Sequence, residues 1–223
     1  MELSELDLDV DWYHYVRKLE KRNEAPCGKG VWIWIYNPDS SHSYLGMLAE
    51  CRGIHEKYDQ FEEIPRDGRR QLGGFGRHKS KWLGGLGANG LGKQAILERP
   101  DEIGRVLDKI PADRSKRASL GDLRTYMEEM TSLSGFAVPS ASRLLVTKRP
   151  DLFASVNGAN EKNLREYFGF NPTSSVKNYI KLHSQIWSYP WFDSPQPEGS
   201  PEKEAWESRV ALTDAFFYDA DER

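Results

Sequence analysis

"LSGFAVPSASRLLVTKRPDLFASVNGANEKN", residues 133–163, sets two helices around a bend of small residues and then runs into a polar loop. Gly135 stands where a helix ends on a left-handed residue, a conformation glycine enters without steric cost. Pro139 suits the first turn of the next helix, where its missing N–H has no intrahelical partner to lose. Ser140, Ala141 and Ser142 are small, and Leu144 and Leu145 then turn inward. Arg149-Pro150 closes that helix, Asn157-Gly158 signals a turn, and Asn160 caps another helix. Packing alone does not require this layout, so the bend is the first feature to explain.

Working outward, the periodicity predicts mostly helix. Residues 8–22 read as a short helix, and "SSHSYLGMLAECRGIHEKYDQF" places Tyr44, Met47, Leu48 and Cys51 on one face behind serine caps. "RPDEIGRVLDKIP" starts and stops on proline. "SLGDLRTYMEEMTSLSG" carries Leu120, Leu123, Tyr126, Met127 and Met130 on one side. Further helices are expected in "NEKNLREYFG", in "NPTSSVKNYIKLHSQIWSY", and as one last unbroken helix in "EKEAWESRVALTDAFFYDA". "VWIWIYNP" is β-branched and aromatic and reads as one short strand or hairpin near residues 31–36, with a buried helix start as its competitor. The expected fold is mainly α, a single helical domain over residues 1–223. A subdivision separates 1–110, with a basic glycine-rich loop, from 111–223, with the bend and the C-terminal helices.

The chain has 223 residues, no apolar run near the roughly 20 residues of a membrane span, and an acidic start without a signal-peptide core. Its two cysteines, Cys27 and Cys51, form no CxxC pair. We therefore expect a cytoplasmic protein with no membrane partner. The net charge of −3 argues against a polyanion partner, but its distribution does not. Arg66, Arg69, Arg70, Arg77, Lys79, Lys81 and Lys93, with His78, share one segment in which Asp67 is the sole acid, whereas the stretch after Trp191 is mostly acidic. Segregation of this kind builds a positive face on a near-neutral protein.

The basic segment, "RRQLGGFGRHKSKWLGGLGANGLGK", contains no GxxxxGK[ST] and lacks the strand-turn-helix context of a dinucleotide site, so no nucleotide cofactor is expected. It reads as a cationic loop lying along a nucleic-acid backbone, with Phe75 and Trp82 stacking on or wedging beside bases. The competing reading is a solvated loop with Trp82 in the core. The five histidines lack zinc spacing, so no metal site is expected.

Leu133, Gly135, Phe136, Ala141, Leu144 and Leu145 fit the spacing of a helix–hairpin–helix motif, with Ala137 where a second glycine is usual. The stretch 120–169 thereby resembles the helix–hairpin–helix base-excision DNA glycosylases. The resemblance implies that Gly135, Phe136, Ala137 and Ser140 grip a phosphate of duplex DNA through backbone N–H groups and a helix N-terminus. It also implies hydrolysis of the N-glycosidic bond of a flipped, modified or damaged base, in DNA repair or antiviral defence. Two departures stand out. Asn157 occupies the position of the family's catalytic aspartate, and Pro139 and Ser140 occupy that of the lysine used by its bifunctional members. An amide cannot serve as a general base, so hydrolysis would need a carboxylate from Asp151, Glu161, Asp193 or Asp214, with Asn157 orienting water or substrate. Trp187, Trp191 and Asp193 are candidates for a base pocket. Three alternatives remain open. Gly135 and Asn157 are also what a plain helix corner and an Asn-Gly turn require, the module can be DNA-binding without catalysis, and the acidic C-terminal third can be a protein-interaction surface.

Overall fold

The computed structural model describes residues 3–22, 24–26, 32–35, 43–76, 78–84, 90–199 and 202–218. The fold is mainly helical. Along the chain come α1 (Trp12–Lys21), β1 (Glu24–Pro26), β2 (Trp32–Trp34), α2 (Tyr44–Lys57), α3 (Arg66–Leu72), α4 (Gly90–Glu98), α5 (Pro100–Leu107), α6 (Leu120–Ser132), α7 (Val138–Lys148), α8 (Glu161–Phe168), α9 (Val176–Ile186), α10 (Glu202–Trp206) and α11 (Asp214–Phe217). The strands form one antiparallel ladder with Ala25 opposite Ile33. No helix among the described residues is long and apolar enough to cross a membrane.

Local chemistry sets the helix starts. Asp11, Ser43, Ser119 and Ser175 each accept a backbone N–H from the first turn they precede. Ser119 and Asp122 complete a reciprocal capping box. Gly169 ends α8 in the left-handed conformation, φ +75°.

Helix α7 is the centre of the structure. Every residue from Ser140 to Thr147 is buried, and α2, α5 and α6 pack around it, with α9 behind α6. A helix enclosed on all sides must satisfy its polar groups internally. Ser142 Oγ accepts from Val156 N–H at 3.2 Å, and Thr147 Oγ1 lies 3.1 Å from His55 Nε2. The ends of the chain meet across the core. Tyr15 stacks on Trp191 with ring centroids 4.3 Å apart, its hydroxyl donates to Arg209 O, and Trp191 Nε1 donates to Leu8 O.

Two expectations need correction. The glycine-rich segment holds more regular structure than its composition suggests, with α3, a 3-10 turn over Lys79–Leu83 and the start of α4. The last helix is not continuous. After α10 the chain passes through a 3-10 turn at Ala211–Thr213 into α11. Residues 208–217 are all buried, so no solvent face sustains a helical period there. Ala211 N–H donates to Pro150 O, an interaction outside any helical ladder.

Candidate nucleic-acid interface

The bend between α6 and α7 rests on the end of the glycine-rich segment. Gly135 has φ +89°, and a Cβ there would lie 2.5 Å from Gly92 N and Leu91 C. Only glycine allows this approach of two backbones. Phe136 N–H donates back to Leu133 O, and Phe136 is buried. Ala137, the N-cap of α7, is exposed and supplies no side-chain cap. Ser140 is buried one turn in. The exposed part of the bend is therefore Ser134 and Ala137, beside Leu91 on the first turn of α4, whose side chain is 57% exposed. Lys93, in the same turn as Leu91, places its ammonium 5.5 Å from the ring centre of Phe75.

Part of the basic segment's charge is matched by Glu98 and Glu50 from outside it and by its own Asp67. Arg66 pairs with Glu98 at 2.8 Å, Lys79 with Glu50 at 3.6 Å, and His78 sits 3.9 Å from Asp67. Arg69 donates to Ile64 O and Leu97 O and works as a structural tie rather than a phosphate ligand. Arg70, Lys81 and Lys93 are exposed. Arg77 lies outside the described residues. The stacking role expected of Trp82 and Phe75 is corrected by their burial, at 4% exposure each, which leaves no ring face for a base.

Under this surface lies a buried polar network that sequence reasoning mostly missed. Arg143, on α7, donates to the carbonyls of Leu72, Ser80 and Gly84 and so fastens the segment from α3 to Gly84 at three points. Burial lowers its pKa from the ordinary value of 12.5 to about 10. A Cβ on Gly74 would collide with its guanidinium. The one signal in the sequence was a cation amid small and apolar residues, "SASRLLV".

Asn157 borders the same segment. A Cβ on Gly84, itself at φ +86°, would be 2.7 Å from Asn157 Cβ. Asn157 Oδ1 accepts from Ala159 N–H at 2.8 Å, and its own N–H donates to Asn160 Oδ1. Asn160 donates onward to Ser155 O and Asp214 Oδ1, and Tyr44 donates to Asp214 Oδ2 at 2.8 Å. Burial, then the neighbouring Asp214 carboxylate, push the Tyr44 phenol well above its usual range.

The candidate carboxylates are engaged in structural contacts. Asp151 forms a two-point pair with Arg149, 2.8 Å at each contact, and both are buried. Its expected role as a catalytic carboxylate is thereby corrected, because both oxygens are taken by the guanidinium and the group is buried away from any open cleft. Glu161 accepts from Asn171 Nδ2 and Thr173 Oγ1 and braces the turn before α9. Asp214 is interior, held by Tyr44 and Asn160.

The expected base pocket is corrected as well. Trp191 is fully buried against Tyr15, Trp187 donates to Leu152 O, and exposed Asp193 pairs with Arg117. Trp191 fills the seam between the N- and C-terminal segments. The structure brings Gly135, Ala137, Asn157 and the glycine-rich segment to α7 and its flanking turns, and leaves Trp187, Trp191 and Asp193 apart from them. Comparison with protein-family models, curated proteins and solved structures finds no match to this chain.

Proposed function

We propose that the chain binds duplex DNA without reading its sequence. The exposed Ala137 end of α7 contacts one phosphate, and the neighbouring glycine-rich segment tracks the backbone with Lys81, Lys93 and Arg70. The observation that carries this reading is the packing of Gly135 on Leu91–Gly92, which fixes the bend against the cationic segment instead of sealing it beneath an unrelated element. Leu91 adds an exposed apolar side chain beside the bend.

The test is retention of labelled duplex across a salt titration. The wild-type chain is expected to bind at low salt with an affinity that falls steeply as salt rises. Ala137→Glu, at an exposed site, is expected to weaken binding about tenfold, or ~1.4 kcal/mol, with unchanged thermal stability. Joint replacement of Lys81 and Lys93 by Gln is expected to flatten the salt dependence by about two phosphate contacts. Failure of the wild-type chain to retain DNA at low salt refutes the reading.

A second reading keeps the chemistry of a DNA glycosylase. What favours it is buried Asp214, linked through Asn160 to the N–H of Asn157. It requires alkali-labile abasic sites after incubation with duplexes carrying modified bases, and their loss in Asp214→Asn.

A further inference from the structure

We infer that Asn157 is a site of spontaneous covalent modification, the loss of its side-chain amide to water by way of a cyclic imide with Gly158. This goes beyond the DNA-binding reading and does not depend on it. In the first step the backbone nitrogen of Gly158 attacks Asn157 Cγ. A C–N bond forms, the proton from the Gly158 amide goes to solvent base, Nδ2 takes up a proton from water, and the bond from Cγ to Nδ2 breaks as ammonia leaves. Water then adds to one of the two imide carbonyls and opens the ring, giving either aspartate or its β-linked isomer.

Four features of the turn favour the first step. Gly158 brings no Cβ to crowd the attack, it is exposed to base and water, and a Cβ built there would meet nothing within 4 Å. The Ala159 N–H donates to Asn157 Oδ1 at 2.8 Å, the oxygen on which negative charge develops as the tetrahedral intermediate forms. The leaving nitrogen is held weakly, with Nδ2 3.5 Å from Leu83 O. Packing of Asn157 Cβ against Gly84 limits the side chain's freedom.

Two features oppose it. Asn157 N–H is bonded to Asn160 Oδ1, and Asn157 O accepts from Asn160 N–H and Glu161 N–H. Ring closure must rotate this peptide, so the folded chain reacts more slowly than an unstructured Asn-Gly peptide. Asn160 itself is followed by Glu161, whose side chain crowds the corresponding attack, and its Nδ2 is held at 2.9 Å by Ser155 O and also by Asp214. Of the two asparagines in this turn, Asn157 is therefore the reactive one; the chain's other Asn-Gly pair, Asn89-Gly90, lies partly outside the described residues.

The product has a defined structural effect. A carboxylate at 157 replaces a donor facing Leu83 O by an acceptor, so the contact between the 155–160 turn and the glycine-rich segment becomes repulsive.

The experiment incubates the whole folded chain above neutral pH, digests samples with trypsin, and follows the peptide 149–162 by mass spectrometry beside a synthetic peptide of that sequence. The expected result is a gain of about 1 Da localised to residue 157, divided between the two isomers. It is expected to be measurable in the folded chain by the time the free peptide has converted fully. Gly158→Val, whose branched side chain hinders the attack, is expected to slow the gain at least tenfold. Asn157→Asp, which carries the normal product directly, is expected to melt below wild type. A folded chain still unmodified at 157 when the free peptide has converted overturns the inference, as does conversion at Asn160 in place of Asn157.

Discussion

Replacing Arg143 by methionine tests whether the interior guanidinium is a net support of the fold. The side chain makes three hydrogen bonds to carbonyls, of Leu72, Ser80 and Gly84. At about 2 kcal/mol for each charge-assisted bond, the gross loss is about 6 kcal/mol. Removing the charge also recovers its burial cost. The fall in pKa from 12.5 to about 10 corresponds to about 3 kcal/mol at 1.36 kcal/mol per unit. The net expectation is a loss of about 3 kcal/mol. For a chain of this size that lowers the melting temperature by about 6–12 °C. Urea denaturation with a two-state fit reads the free energy directly. Arg143→Lys is a useful companion, because it keeps the buried charge but lacks the planar fork that reaches three carbonyls at once. It is expected to be no more stable than the methionine variant. A methionine variant as stable as wild type would show that desolvation cancels the hydrogen bonds and would refute the view that Arg143 fastens the glycine-rich segment.

Three further outcomes rest on the same geometry. Gly135→Ala is expected to cost at least 2 kcal/mol, since it combines a strained φ with a collision against the Leu91–Gly92 backbone, whereas Ala137→Gly is expected to cost under about 1 kcal/mol; chemical denaturation of both compares them. Burial lowers the pKa of His55 to about 3 and that of His183 to about 4, so the unfolded chain binds more protons below pH 6.5. The stability these neutral imidazoles contribute is complete above that pH and is lost as pH falls toward the folded values, by about 2 kcal/mol per histidine at pH 5; the pH dependence should flatten in His183→Gln, and an unchanged slope refutes the assignment. Asp151→Asn leaves buried Arg149 without its carboxylate and is expected to cost about 3–5 kcal/mol, measured by thermal melts.

The sequence made helix α7 and its neighbours readable because their signals are local. Gly135, Pro139, Ser119 and Gly169 mark ends through backbone conformation and capping, which depend on residues a few positions apart. The 3-10 and α11 segment after Trp206 was not readable, because burial on all sides removes the amphipathic period that marks a helix. The same limit applies to charge. Arg66 and Lys79 belong to a basic run in the sequence, yet Glu98 and Glu50 come back to them in space. Trp82, Phe75 and Trp191 looked available because an aromatic side chain carries no mark of which way it faces. Asp151 and Asp214 looked like candidate bases because the partners that engage them, Arg149 and Tyr44, gave no sign of that role in the one-dimensional pattern.

The stacking of Tyr15 on Trp191 and the bond from Trp191 to Leu8 span most of the chain's length. During synthesis the first helix emerges from the ribosome long before the residues that shelter it. Until then Leu8, Tyr15 and Leu19, all fully buried in the finished structure, have no surface to dock on. The first helix must therefore wait while the middle of the molecule assembles, with its apolar face exposed in the nascent state. Deleting the stretch that contains Trp191 would unseat an element nearly two hundred residues upstream, while leaving the central helix and its immediate neighbours with most of their contacts.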